Sequence, residues 1–219
     1  MPDWGEIFAD PEMQRRAPEP ALLALLPLMK EAGCRRVLDA GCGVGRQLLP
    51  MLQEGFWVWG VDREAAVLHI LQERLAAAPA FAGQALLAQA NLKRLPFPAA
   101  AFDLVVSIKV INHGLAADFR EYCRELDRVS QAGGHLFINV SPRAFAEKVR
   151  LPETRELEPG TLVDIATPDG NLVHHFPTPA ELLAQFPGYE VRRAETILSP
   201  ITFMGNVEMP QFIYWGRKQ

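Results

Sequence analysis

Val37-Leu38-Asp39-Ala40-Gly41-Cys42-Gly43-Val44-Gly45-Arg46-Gln47 is the stretch that decides the fold. Arg36 to Asp39 form a short apolar run of strand type, and Gly41, Gly43 and Gly45 follow at alternate positions. Glycine tolerates a tight turn and lets backbone approach a bulky ligand with no Cβ in the way. Residues 45–54 then read as a helix ending at Gly55. Strand, acid, glycine turn and helix are the parts of a ligand-binding α/β unit. The spacing differs from the dinucleotide fingerprint Gly-x-G-x-x-Gly, whose third glycine falls where Arg46 stands.

Working outward, short apolar runs alternate with amphipathic ones. Residues 56–61 and 102–108 and His135 to Val140 read as buried strands, and residues 84–89 as a weaker one. Glu64 to Ala78 and Ala117 to Ser130 read as helices, the second closed by Gly133-Gly134. Such alternation predicts an α/β fold with a doubly wound, mostly parallel sheet covered on both faces. Before it, residues 21–32 predict a helix that Pro27 should kink or split. Beyond it, residues 141–188 are Pro-rich and predicted irregular, with one helical piece at 179–185. Tyr189 to Leu198 and Gln211 to Gly216 predict a closing antiparallel pair. No repeat and no second core is visible.

The totals agree with one such domain of 219 residues, 49% hydrophobic and 22% charged. A net charge of −4 disfavours nucleic acid as a partner, which leaves a basic footprint. Cys34, Cys42 and Cys123 show no CxxC spacing and read as buried small hydrophobes in a reduced compartment. The N-terminus has no leader-like run, and residues 21–29 are too short to span a bilayer, so a cytoplasmic protein with no membrane partner is expected. The oligomeric state is left open.

The stretch 37–45 resembles the first motif of class I S-adenosylmethionine-dependent methyltransferases. The resemblance covers about residues 35–140 and implies a Rossmann-like sheet of seven strands whose last strand is antiparallel. It implies S-adenosylmethionine as cofactor, with S-adenosylhomocysteine as product. In the family the loop backbone at Gly41, Gly43 and Gly45 receives the methionine portion, and Asp39 helps order the loop. Asp62 lies 21 residues after Gly41, at the end of the next strand, with Arg63 beside it. An acid so placed accepts from both ribose hydroxyls; alternatively it caps the helix after it. Asn91-Leu92-Lys93-Arg94-Leu95-Pro96-Phe97 is similar to the family's adenine segment, with Asn91 where an Asp is usual. An amide carbonyl still accepts from an amine, without charge assistance, or Asn91 is an ordinary turn amide.

Residues 107–114 (SIKVINHG) supply the acceptor candidates. Lys109 either attracts an anion, the cofactor carboxylate included, or is solvated. His113 is the candidate general base, against a packed or capping histidine, and Asn112 a candidate substrate contact. The Gln131-Ala132 pair replaces the family's usual Lys-Pro in a structural turn. Residues 158–161 and 174–178 resemble a segment lying across the active-site mouth in some small-molecule members. Adjacent His174 and His175 point to opposite sides of an extended segment, so His174 is a substrate candidate and no metal centre is expected. Trp4 and Phe8 are expected to roof the pocket together with residues 141–178. The expected division is residues 1–34 as helical cap, 35–140 as cofactor core, 141–188 as inserted cover and 189–219 as closing strands, all in one domain.

Methyl transfer needs alignment and exclusion of water more than any obligatory catalytic group. A small-molecule acceptor is expected, since no Asn-Pro-Pro-Tyr stands at 107–113 and no Pro-Cys nucleophile is present. The alternatives are methylation of protein or RNA, and a non-catalytic cofactor-binding interaction module.

Overall fold

The computed structural model describes residues 4–201 and 207–219. Two short helices, α1 (Trp4–Ala9) and α2 (Pro11–Gln14), lead into α3 (Pro20–Glu31). An α/β alternation follows: β1 (Arg36–Ala40), α4 (Leu48–Gln53), β2 (Trp57–Asp62), α5 (Ala65–Ala76), β3 (Ala85–Gln89), β4 (Phe102–Ile108), α6 (Ala116–Val129) and β5 (Ser130–Val140). Then come α7 (Arg143–Ala146), β6 (Arg155–Glu158), β7 (Thr161–Val163), β8 (His174–His175), α8 (Pro179–Leu183), β9 (Tyr189–Ile201) and β10 (Val207–Lys218).

Seven strands form one sheet in the order β3-β2-β1-β4-β5-β10-β9. The first five are mutually parallel, and β10 runs antiparallel to both β5 and β9. The strand order reverses between β1 and β4, which opens a crevice at the carboxyl ends of those strands.

Period-two alternation sorts the strand residues between two cores. Val37, Leu104, Val106, Phe137 and Ile213 pack with α3, α4 and Leu71 of α5. Leu38, Val105, Leu136, Ile138 and Tyr214 pack with Phe119, Cys123 and Leu126 of α6 and with Leu182 of α8. Each fully buried Leu or Phe contributes about 1.5–3 kcal/mol relative to exposure. All three cysteines are buried and unpaired.

Three sequence expectations need correction. Helix α3 runs unbroken through Pro27, because Leu22, Leu25, Leu26 and Met29 bury its inner face on both sides of that residue. Pro27 and Leu23, whose carbonyl the ring deprives of a partner, are exposed, so water can satisfy that group. Gly133-Gly134 does not close α6; β5 already begins at Ser130, and the glycines form a bulge between the pairs Phe102–Ser130 and Leu104–His135. Residues 141–188 are not irregular. They hold an antiparallel sheet, β6-β7-β8, and their own apolar cluster of Phe145, Val149, Leu162, Ile165 and Phe176 with Met209.

Candidate cofactor and acceptor site

A cavity of about 510 Å³ lies over the carboxyl ends of the parallel strands. Its floor is the glycine loop after β1, the residues following β2 and β3, and the loop after β4. The glycine loop is folded back onto β2: the amides of Gly41 and Cys42 both donate to the Val61 carbonyl, at 2.7 and 2.9 Å. Asp62 holds the next amide, its Oδ2 accepting from Gly43 N at 2.9 Å while Oδ1 accepts from Glu64 N at 3.1 Å. The carboxylate therefore caps the turn before α5 and holds the glycine loop, and it lies on the cavity wall.

The three loop glycines are needed for different reasons. All have positive φ, between 52° and 87°. A Cβ on Gly41 would strike Val110, and one on Gly45 would strike Leu71 of α5, so packing alone excludes side chains there. Gly43 faces the covered cavity, where a Cβ would sit 3.5 Å from the Phe8 ring. Gly45 and Asp39 are not on the cavity wall. Asp39 is 2% exposed beneath the loop, and its Oδ2 has no hydrogen-bond partner. Burial, with the nearby Asp62 charge, pushes its carboxyl up to about 7.

Asn91 and Leu92 line the wall beyond Asp62 and Arg63. Asn91 Oδ1 accepts from Lys93 N at 2.9 Å, an Asx turn that leaves the amide's NH₂ side uncommitted. Lys109 sits in the left-handed region (φ 61°), a conformation that costs a non-glycine residue energy and recurs at functional sites. Its ammonium donates to Ser141 Oγ at 3.3 Å, and burial lowers its pKa to about 7. Arg46 and Glu19 share that part of the wall, and sequence reasoning passed over both.

The roof comes from distant parts of the chain. Trp4 and Phe8 of α1 line it, Trp4 standing edge-on to His113 with ring centroids 4.8 Å apart. Arg74 ties this helical segment down, donating to Val44 O at 2.8 Å and to Gln14 Oε1 at 3.0 Å. Glu19 does the same further on: its backbone N donates to Gln47 Oε1 and its Oε2 accepts from Asn139 Nδ2. Phe145, Ile165 and Phe176 close the opposite side.

Asn112 lies on the wall, but its amide is committed to backbone. Nδ2 donates to Ser141 O and His175 O, and Oδ1 accepts from Ser141 N. It clamps the post-β4 loop to the cover, which leaves little of it for a substrate. His174 and His175 diverge, as adjacent residues of a strand must. His175 Nδ1 meets Thr161 Oγ1 at 2.8 Å, whereas His174 lines the cavity. His113 has both ring nitrogens engaged, Nδ1 at 2.8 Å from Val110 O and Nε2 at 3.2 Å from Asp169 Oδ2. Burial lowers its pKa, against the opposing pull of Asp169. Asp169 Oδ2 is the shared neighbour of both rings, since His174 Nε2 also lies 3.1 Å from it. Asp169 has no local sequence signal, since it sits in a Pro-Asp-Gly turn that reads as a plain loop.

Comparison with known proteins follows the same lines. Residues 38–138 match the family model described as a methyltransferase domain. Glycine N-methyltransferase of Oryctolagus cuniculus is 45% identical over 51 residues, 23% of this chain and 17% of that protein. The malonyl-[acyl-carrier protein] O-methyltransferase of Legionella pneumophila is 32% identical over 116 residues, 52% of this chain and 39% of that one. The chain thus spans less than half the length of these curated relatives. Among solved structures, the Burkholderia thailandensis 1,6-didemethyltoxoflavin-N1-methyltransferase, with bound 1,6-didemethyltoxoflavin and S-adenosylhomocysteine, superposes with a TM-score of 0.65 at 16% identity. That superposition covers 97% of this chain and 81% of the other. No helix among the described residues is long and apolar enough to cross a membrane. Strand order, glycine loop and family match converge: residues 38–138, a little under half of the chain, match the methyltransferase-domain family, and the sheet has the fold of the methyltransferase structure it superposes on.

Proposed function

We propose that this chain binds S-adenosylmethionine along the floor of the cavity and transfers its methyl group to a small-molecule acceptor held under the roof. One observation carries the reading: Asp62 accepts from Gly43 N inside a cavity that continues past the loop to Trp4 and His113. The residues fit the cofactor. A glycine loop open to the cavity, a carboxylate at the end of β2 and a wall amide at Asn91 offer shape, ribose acceptors and an adenine contact in the order of the strands. Lys109 and Arg46 supply cationic groups for a carboxylate.

The bound cofactor supplies an electrophilic methyl carbon. The chain supplies the rest. Asp62 and Asn91 fix the position of the nucleoside, and Lys109 and Arg46 attract the amino-acid end. Trp4, Phe8, Phe145 and Phe176 exclude water and pack against an acceptor, with aromatic faces able to stabilise nearby positive charge. The acceptor is a small molecule because α1 and the segment 165–176 cover the cavity, leaving little room for a polypeptide or an RNA strand.

Calorimetry with S-adenosylhomocysteine tests the reading, with micromolar binding expected. No detectable heat at high ligand concentration overturns it. Turnover of labelled cofactor against a metabolite panel separates an enzyme from a binding module. A steep loss of RNA binding with salt, were binding found, would favour the nucleic-acid version.

A further inference from the structure

We propose that His113, Asp169 and His174 form a binding site for one divalent transition-metal ion, of the Zn²⁺ type, at the acceptor end of the cavity. The three side chains come from separate places: the loop after β4, the turn before β8, and β8 itself. Their ligand atoms lie within 4.8 Å of one another. His113 Nε2 and His174 Nε2 stand 3.2 and 3.1 Å from the same oxygen, Asp169 Oδ2.

The hydrogen bonds on the far side of each ring decide what those nitrogens carry. His113 Nδ1 is 2.8 Å from Val110 O, and His174 Nδ1 is 2.9 Å from Leu172 O. A carbonyl only accepts, so each Nδ1 bears the ring's hydrogen. A neutral imidazole has one N–H. Both Nε2 atoms then present lone pairs to one carboxylate oxygen, and three electron-rich atoms face each other with nothing positive between them. Two extra protons would relieve this only by making two adjacent imidazolium ions in a largely buried place. One cation relieves it completely. A ring N–H spent on a backbone carbonyl is also how metal-ligating histidines are usually held.

Spacing and support agree. Metal–ligand bonds of about 2.1 Å put neighbouring ligands about 3.0 Å apart in octahedral and about 3.4 Å apart in tetrahedral geometry; the two histidine–carboxylate spacings of 3.1 and 3.2 Å lie between, and the two imidazole nitrogens, within 4.8 Å of each other, would draw together on a shared ion. The backbones are locked together by a β-bridge between His113 and His174, by Gly114 N donating to Val173 O, and by the Asn112 clamp. Two imidazoles and one carboxylate suit Zn²⁺, Co²⁺ or Fe²⁺ better than Mg²⁺ or Ca²⁺. Three protein ligands leave coordination open, and all three residues line the cavity, so the open side meets the acceptor. It would take an anionic oxygen or a thiolate. Metal binding itself does not depend on the methyl-transfer reading; only this choice of acceptor rests on it.

The test uses the full chain, stripped with chelator and dialysed against Zn²⁺. One equivalent should be retained, and Asp169→Asn should weaken retention at least tenfold. In the unsubstituted chain, Zn²⁺ should move the ¹⁵N resonances of His113 and His174 while leaving His69 and His135 in place, a readout indifferent to any folding defect of the variant. No stoichiometric retention, retention unchanged in Asp169→Asn, or shifts at His69 instead would overturn the proposal. S-adenosylhomocysteine binding measured in the same metal-free sample keeps the two readings apart: the nucleoside bound without metal retention sinks the metal site alone, and the converse sinks the methyl-transfer reading alone.

Discussion

The floor of the cavity is laid by strand ends that are neighbours in the sheet, whereas its roof is assembled from α1 and from residues 165–176, more than 150 positions apart. The floor is mostly backbone geometry. Its amides bond to Val61 O and Asp62, and two of its glycines are dictated by Val110 and Leu71 packed against them. The roof is mostly side chains: Trp4 against His113, His113 and His174 on Asp169, Asn112 clasping two backbones. A floor of this kind can hold one cofactor in one pose. A roof of this kind can change its acceptor by exchanging a few side chains without disturbing the sheet.

If that division is right, substitutions in the floor act on cofactor affinity and substitutions in the roof act on turnover. Gly43→Val should have the largest effect. It places a β-branched side chain at φ 52° and into the covered cavity, and should weaken S-adenosylhomocysteine binding about hundredfold, on the order of 2.7 kcal/mol, by calorimetry. Full affinity would mean that the ligand does not use this loop. His113→Ala should lower turnover about thirtyfold once an acceptor is found, with cofactor affinity changed less than about threefold. Equal losses in both would erase the distinction between floor and roof.

Asp62→Ala should weaken cofactor affinity about tenfold, on the order of 1.4 kcal/mol, because it removes a ligand contact and frees the Gly43 amide together. Lys109 sharpens the comparison most finely, since it stands where floor and roof meet. Its pKa of about 7 in the free protein means that an anion binding beside it must hold the proton on. Affinity for S-adenosylhomocysteine should be level below pH 7 and fall severalfold between pH 7 and 8, with proton uptake visible as a buffer-dependent heat. Lys109→Met should bind more weakly and lose that slope; a slope that persists in the variant belongs to another group.

The sequence specified the floor because its requirements are local. A continuously buried strand, three glycines that must take positive φ, and an acid at the end of the next strand all fall within residues 36–62. Chain neighbours impose those conditions, so the order of letters displays them. Asn91 was legible as a turn amide after β3, but not the direction of its carbonyl, which the Lys93 amide sets. Pro27 misled because propensity speaks for an isolated helix, and burial of four side chains overrides it. For the roof the sequence pointed to the segments, Trp4, Phe8 and residues 141–178, but not to which of their side chains meet. Nothing near Asp169 announces that it will lie 3.1 Å from His174 and 3.2 Å from His113, because those distances arise only after β4, β8 and the loops between them have packed. The sequence alone determined the sheet, the loop and the kind of ligand they suit. Tertiary structure decided which side chains meet above it, since a contact between residues 56 positions apart is a property of packing and leaves no local mark.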